Sequence, residues 1–177
     1  IASESILKYI SSANDSITKN NLDLTITAQK YLQQETQFLT SAPNIVSAED
    51  IEEAMQKVMD NYAGGIKTNY KYNEAGLTIA AEEIARLNIL ADDLHADSMH
   101  ELLFIHELKD RLTICAFLIE HMLARKETRW HSFAENTDHP DKNDAFYEYI
   151  NSRLDNGKIT IIHRPIVKRG EYYEHNY

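Results

Sequence analysis

Apolar residues recur at spacings of three and four over most of this chain, and each such stretch predicts a helix. A short one covers roughly residues 3–10, and a second runs from about Leu24 to Leu39 after the polar run "SSANDSITKNN". Pro43 then breaks the pattern. Ser47 stands where an N-cap belongs, with Asp50 at the third helical position, and Ile51, Met55, Val58, Met59 and Tyr62 follow on one face. Gly64 and Gly65 stop that helix. Another begins near Gly76 and carries Leu77, Ala80, Ala81, Ile84, Leu87, Ala91 and Leu94. The longest stretch, from about Ser98 to Lys126, places Leu102, Ile105, Leu112, Cys115, Ile119 and Met122 in one stripe. Leu103, Phe104, Leu108, Ile114, Phe117 and Leu118 widen that stripe almost all round. A helix apolar on most sides is one covered on most sides, so it should be the spine of a bundle and should also meet a further surface.

Beyond Trp130 the periodicity dissolves into the connector "HSFAENTDHPDKND". A short helix is expected from about Ala145 to Leu154. "DNG" (Asp155 to Gly157) is a turn signal, and "KITIIHRPI" reads as a strand that Pro165 confines to an edge. The tail "RGEYYEHNY" reads as an extended arm. Only five Gly and three Pro interrupt the chain, which favours long helices over many short strands. The expected fold is therefore mostly α, an antiparallel helix bundle with a small C-terminal β hairpin or strand element. It divides into N-terminal helices (1–45), a core bundle (46–130), and a connector with a short helix and the β element (131–177).

Charge and chemistry narrow the function mainly by exclusion. Eighteen basic against 28 acidic residues give a net charge of −10, which repels a phosphate backbone, so nucleic acid is not an expected partner. No apolar run reaches the ~18 residues a membrane span needs, and the opening "IASESILKYISS" lacks the basic flank and cleavage site of a secretory signal. The single Cys115, among Ile114, Ala116 and Phe117, reads as a small buried hydrophobe and suits a reducing cytoplasmic setting. His95, His100, His106 and His121 lack the i, i+4 or Glu-x-x-His spacing of helical metal sites, and "HEL" at His100 and His106 lacks the second histidine of a zinc motif. The sequence carries no P-loop, no G-x-S-x-G elbow and no G-x-G-x-x-G turn, so no catalytic, metal or cofactor-binding residue is assigned.

One cluster stands apart, Arg125, Lys126, Glu127, Arg129 and Trp130 at the end of the long helix. Cations near a helix C-terminus gain ~0.3–1 kcal/mol from the dipole, which accounts for Arg125 and Lys126. Glu127 and Arg129 need another reason. An arginine beside a tryptophan fits either an anchor against a neighbouring domain, with Glu127, Arg129 and Trp130 as docking residues, or solvated charge at a helix end.

"RKETRW" (Arg125 to Trp130), together with "NYAGG" (Asn61 to Gly65), "MHELL" (Met99 to Leu103) and "INSRLD" (Ile150 to Asp155), resembles the C-terminal helical domain of adenylylsulfate reductase alpha subunits, within the fumarate reductase and succinate dehydrogenase class of flavoproteins. The resemblance runs from about Val46 to Pro165. Asp138, Pro140 and Asp144 keep the family's register, whereas His131 and Ser132 replace its Pro-Gly and Asn136 stands in place of an Arg. "IASESILKYI" is similar to the helix that closes the FAD domain of these proteins. The resemblance implies an FAD-dependent oxidoreductase whose flavin domain lies upstream, with an iron–sulfur subunit as electron partner and no cofactor on this chain itself. Its implied role is structural: packing on the flavin domain and offering surface to another subunit. Without that upstream domain, an exposed apolar patch and self-association are expected. A self-standing helical interaction or regulatory module is the alternative reading.

Overall fold

A computed structural model describes residues 21–43, 45–129 and 134–166, together with residues 6 and 8, which are helical. The expected helix over 3–10 lies otherwise outside the described residues, as does the tail after Ile166. The described chain forms α1 (Asn21–Thr40), α2 (Ala48–Tyr62), a 3-10 turn (Ile66–Thr68), β1 (Lys71–Tyr72), α3 (Glu74–Ala91) and α4 (Met99–Ala124). It continues through β2 (Glu135–Asn136), a second 3-10 turn (Asp144–Phe146), β3 (Glu148–Asp155) and β4 (Lys158–Pro165). The mostly α fold with a small antiparallel hairpin agrees with the sequence reading.

The three bundle helices start where polar side chains satisfy their first free N–H groups. Ser47 Oγ accepts from Asp50 N at 3.1 Å while Asp50 Oδ2 accepts from Ser47 N at 3.0 Å, a complete capping box. Asn73 Oδ1 accepts from Gly76 N at 2.6 Å, so α3 begins two residues before the glycine that the sequence singled out. Ser98 caps α4 through Glu101 N. Ile51 and Met55 of α2, Leu77, Ala80, Ile84, Leu87 and Ala91 of α3, and Leu102, Ile105, Leu108, Leu112 and Ile119 of α4 close on one another as the core. Most of these are the periodic positions of the sequence.

Between α2 and α3 the chain turns tightly. Gly64 takes a left-handed φ of 76°, and a side chain at Gly65 would place its Cβ 2.4 Å from Asp60 Cα. The turn ends with Asn69 and Tyr70 left-handed (φ 53° and 61°), and Tyr70 O then accepts from Glu135 N at 2.9 Å. This starts the short parallel pairing of β1 with β2.

The expected helix from Ala145 to Leu154 is not there. Asp144–Phe146 make one 3-10 turn, and Glu148–Asp155 are strand β3, paired antiparallel with β4. The spacing of Phe146, Tyr149, Ile150 and Leu154 is that of a helix face, and the pairing with β4 overrides it. Asn156 and Gly157 have φ of 49° and 78°, the both-positive geometry of a two-residue hairpin turn, which locks β3 against "KITIIHRP". The face carrying Ile150, Ser152 and Ile161 rests on α4, where Ser152 Oγ and His121 Nε2 lie 2.8 Å apart.

Helix α1 is the least integrated element. From Leu24 to Thr40 only Phe38 is buried. Phe38 packs edge-on against His106, under the Lys109 ammonium, while Glu35 Oε2 bonds His106 Nε2 at 2.6 Å and Ala96 N donates to Phe38 O at 2.9 Å.

The capping box gives a direct test of how α2 is held. Ser47→Ala should lower stability by about 1 kcal/mol, read as a shifted midpoint with unchanged slope in urea melts.

Candidate functional site

As α4 ends, Arg125 leaves helical geometry and the chain folds back so that the Glu127 side chain is fully enclosed, with 0 % exposure. Its Oε1 accepts from Arg125 Nη1 and from Arg129 Nε, both at 2.5 Å, and its Oε2 accepts from Asn143 N at 2.9 Å. Both arginines also donate to main-chain carbonyls across the connector: Arg125 to Phe146 O and Glu148 O, and Arg129 to Phe146 O. One carboxylate thus gathers two guanidinium groups, and these in turn hold the start of β3. Burial alone pushes the Glu127 carboxyl up. The hydrogen bonds from Arg129, Asn143 N and Arg125, with the Arg129 charge, outweigh that, and the carboxyl sits below the ordinary carboxylate value.

Next to this clamp the polar interior continues. Thr128 Oγ1 accepts from Asn136 N at 3.0 Å and donates to His139 O at 2.9 Å. Asn136 is 1 % exposed, and its Oδ1 accepts from Asp138 N and His139 N. Asp138 Oδ2 accepts from Glu74 N at 2.8 Å, and Lys126 pairs with Glu74 at 2.9 Å, so the connector is fastened to the start of α3. A cavity of about 390 Å³ opens beside the clamp, lined by Tyr72, Arg125, Arg129, Ala134, Tyr149 and Ile166 among others. Burial raises the Tyr72 phenol, with the Arg125 charge acting against it, so at neutral pH it is a hydrogen-bond donor and not an anion. The cluster's ions satisfy one another and the main chain. It holds segments together and presents no activated nucleophile or base.

Among the described histidines, His106 meets Glu35, His121 meets Ser152, His139 meets Glu74 and His163 meets Glu148 across the fold, and His95 lies between Asp97 and Ser41. Among the described residues no group of three or more His, Cys, Asp or Glu side chains converges as metal ligands would. Burial pushes the half-buried Cys115 thiol up, away from a reactive thiolate. The glycine pair does not fit a flavin pyrophosphate either, because the space beside Gly65 is filled by Asp60 of the same chain.

Of the residues the sequence put forward, Glu127 and Arg129 are brought together, with each other as partners, and Trp130 lies outside the described residues. Arg125 is more than a dipole-compensating cation. Its guanidinium bridges α4 to β3, a role that depends on carbonyls 21 and 23 residues away and so left no local mark in the sequence. Asn136, set apart only as a departure from an arginine, organises the buried turn. Asn143, whose N–H reaches Glu127, left no signal at all.

A helical domain closed by a buried charge clamp, with no catalytic constellation among its described residues, is the class that fold and site define. The family described as "fumarate reductase flavoprotein C-term" matches residues 52–172, and the chain belongs to that family. Two solved structures are similar at 29 % identity and a TM-score of 0.74, each over 98 % of this chain. One is an adenosine-5-phosphosulfate reductase in a covalent adduct with sulfite, and the other is the adenylylsulfate reductase of Archaeoglobus fulgidus. A quinol fumarate reductase of E. coli shares the fold at 14 % identity, with a TM-score of 0.71 over 86 % of this chain. This chain spans 29 % of the length of the two sulfur-compound reductase chains and 26 % of the fumarate reductase chain. No curated protein sequence matches. Among the described residues no helix is long and apolar enough to cross a membrane.

The clamp predicts an ordering of substitutions. Glu127→Ala leaves two guanidinium groups facing each other and should cost ~3–5 kcal/mol. Arg129→Ala should cost less, about 2 kcal/mol, because Arg125 and Asn143 N still hold the carboxylate. Denaturant melts check the order. The sign of the pH effect follows from a folded-state carboxyl held below the 4.5 of the free group. Its stabilisation is complete above that value and is lost as pH falls through the lower folded-state value. The acid-side loss of stability between wild type and Glu127→Gln should therefore differ below about pH 4.5 and run parallel above it.

Proposed function

We propose that this chain is the C-terminal helical domain of an FAD-dependent oxidoreductase subunit and that its own work is structural. In this reading residues 1–45 lead in from a flavin domain, 46–130 form the packing core, and 131–177 supply the connector and hairpin. The flavin, the substrate site and electron transfer belong to the rest of the subunit. By likeness to the two reductases above, the parent enzyme reduces adenylylsulfate or a related small acid in the cytoplasm and passes electrons to or from an iron–sulfur subunit. His131, Ser132 and Asn136 depart from that family's pattern, which leaves the related acid as open as adenylylsulfate.

The observation that carries the structural role is the outer side of α4. Leu103, Ile114 and Leu118 are 56 %, 64 % and 48 % exposed along one side of the central helix, whose opposite side is the core of the bundle. A spine helix with large apolar residues on its solvent side is built to be covered there too. The flavin domain is the occupant we assign, and Glu127, Arg129 and Trp130, the docking residues the sequence put forward, come a few residues after that helix in the chain.

Two preparations test this. The isolated chain, incubated with FAD and desalted, should emerge colourless, whereas the full-length parent should purify yellow. An isolated chain holding close to one equivalent of flavin would overturn the assignment. In the parent, Ile114→Glu with Leu118→Glu should release flavin or lower the melting temperature clearly more than in the isolated chain. Equal effects in both would favour a self-standing module.

A further inference from the structure

We propose that the Asn156 side-chain amide, at the tip of the β3–β4 hairpin, is a modification site gated by the fold. The closed turn protects it, opening of the tip lets it cyclise, and the isoaspartyl product keeps the tip open. This concerns the hairpin's own chemistry and is independent of the domain role above.

The reaction needs only water. The Gly157 main-chain nitrogen gives its proton to solvent and attacks Asn156 Cγ. The new C–N bond closes a five-membered succinimide ring as the bond to Nδ2 breaks, and Nδ2 leaves as ammonia. Water then opens the ring at one carbonyl or the other, giving aspartate or isoaspartate, and nothing is oxidised or reduced. A side chain on the following residue hinders the attack, and Asn156 is the one asparagine of the sequence that a glycine follows. Both residues are exposed, and a Cβ built on Gly157 would meet nothing within 4 Å, so water has free access.

The closed turn nevertheless holds the reacting atoms apart. With φ of 49° and 78°, Asn156 and Gly157 form a type I′ turn, the mirror image of type I, in which the first central residue has ψ of about +30°. At that ψ the Gly157 nitrogen lies nearly opposite Asn156 Cβ across the Cα–C bond, whereas a five-membered ring requires the two nearly eclipsed. The pairing of Asp155 with Lys158 keeps the turn shut. Opening is local. The hairpin is a sheet of two strands, and every residue from Arg153 to Lys158 is exposed, so the tip is held by its own ladder and the Arg153–Asp155 ion pair and not by the bundle. Further along, Ser152 meets His121 and Arg125 Nη2 donates to Glu148 O, which confines the opening to the tip. Isoaspartate then carries the main chain through its side-chain carbon, adding one atom to a two-residue turn whose geometry has room for none. The tip cannot reclose in register.

Peptide mass spectrometry of the whole chain, held in mildly alkaline buffer either folded or unfolded in urea, is the test. Asn156 should lose its amide at least tenfold more slowly in the folded chain than in the unfolded one. Ile159→Ala, which weakens the pair with Leu154 beside the turn, should raise the folded rate at least threefold and leave the unfolded rate unchanged. Asn156→Gly keeps the positive φ and should yield no product in that peptide. Circular dichroism checks that each variant is folded. The isoaspartyl chain, isolated and returned to native buffer, should lose hydrogen-exchange protection beside the turn and keep it in α2, α3 and α4. Asn156→Asp adds the charge without the extra backbone atom and should keep protection in both places. Equal rates in the folded and unfolded wild type overturn the proposal. So does a folded Ile159→Ala rate equal to that of wild type, or an isoaspartyl hairpin protected as well as that of Asn156→Asp. None of these results bears on flavin binding, so the domain reading stands or falls separately.

Discussion

The buried carboxylate of Glu127 is the interaction on which the lower half of the molecule depends. An ionised side chain with no exposed surface is tolerated only when its charge and lone pairs are met, and here two guanidinium groups and a main-chain N–H meet them. The consequence reaches past the ion pairs. Because the same guanidinium groups also bind Phe146 O and Glu148 O, the path of an irregular connector is fixed by the end of a helix. The hairpin β3–β4 has no large sheet to join and stands where it does because this carboxylate orients the groups that hold its first strand.

The upper half is held differently. Its helices meet chiefly through aliphatic side chains, with caps at the helix starts and ion pairs such as Arg111 with Glu52 and His106 with Glu35 along the outside. That contrast matters for the family's parent chains. A bundle closed by apolar packing can carry a second apolar surface on α4 without losing its own core, since Leu103, Ile114 and Leu118 point away from Leu102, Leu108 and Leu112. The bundle therefore closes its own core and still carries exposed apolar side chains on α4.

Legibility in the sequence followed the range of the forces involved. Ser47, Asp50, Ile51 and Met55 announce α2 because caps and core spacing act within one or two turns. The turn at Asn156-Gly157 was equally plain, since positive φ at both positions selects those residue types. Strand β3 was not, because Phe146, Tyr149, Ile150 and Leu154 carry the spacing of a helix face, which only the pairing with β4 overrides. Glu127 and Arg129 could be seen to need an explanation, but not that the explanation was mutual, with Arg125 as the third member. Asn143 was invisible for the same reason: its contribution is a backbone N–H, which every residue but proline possesses.

The two-residue pairing of β1 with β2 has a kinetic side. It joins positions 64 residues apart, and closing so long a loop from an open chain gains little for the entropy it costs. The intervening chain is α3 and α4, which pack as an antiparallel pair and so return the chain to its starting point. Once that pair has formed, the loop left to close is short. The order of events is thereby biased toward helix pairing before the β1–β2 bridge.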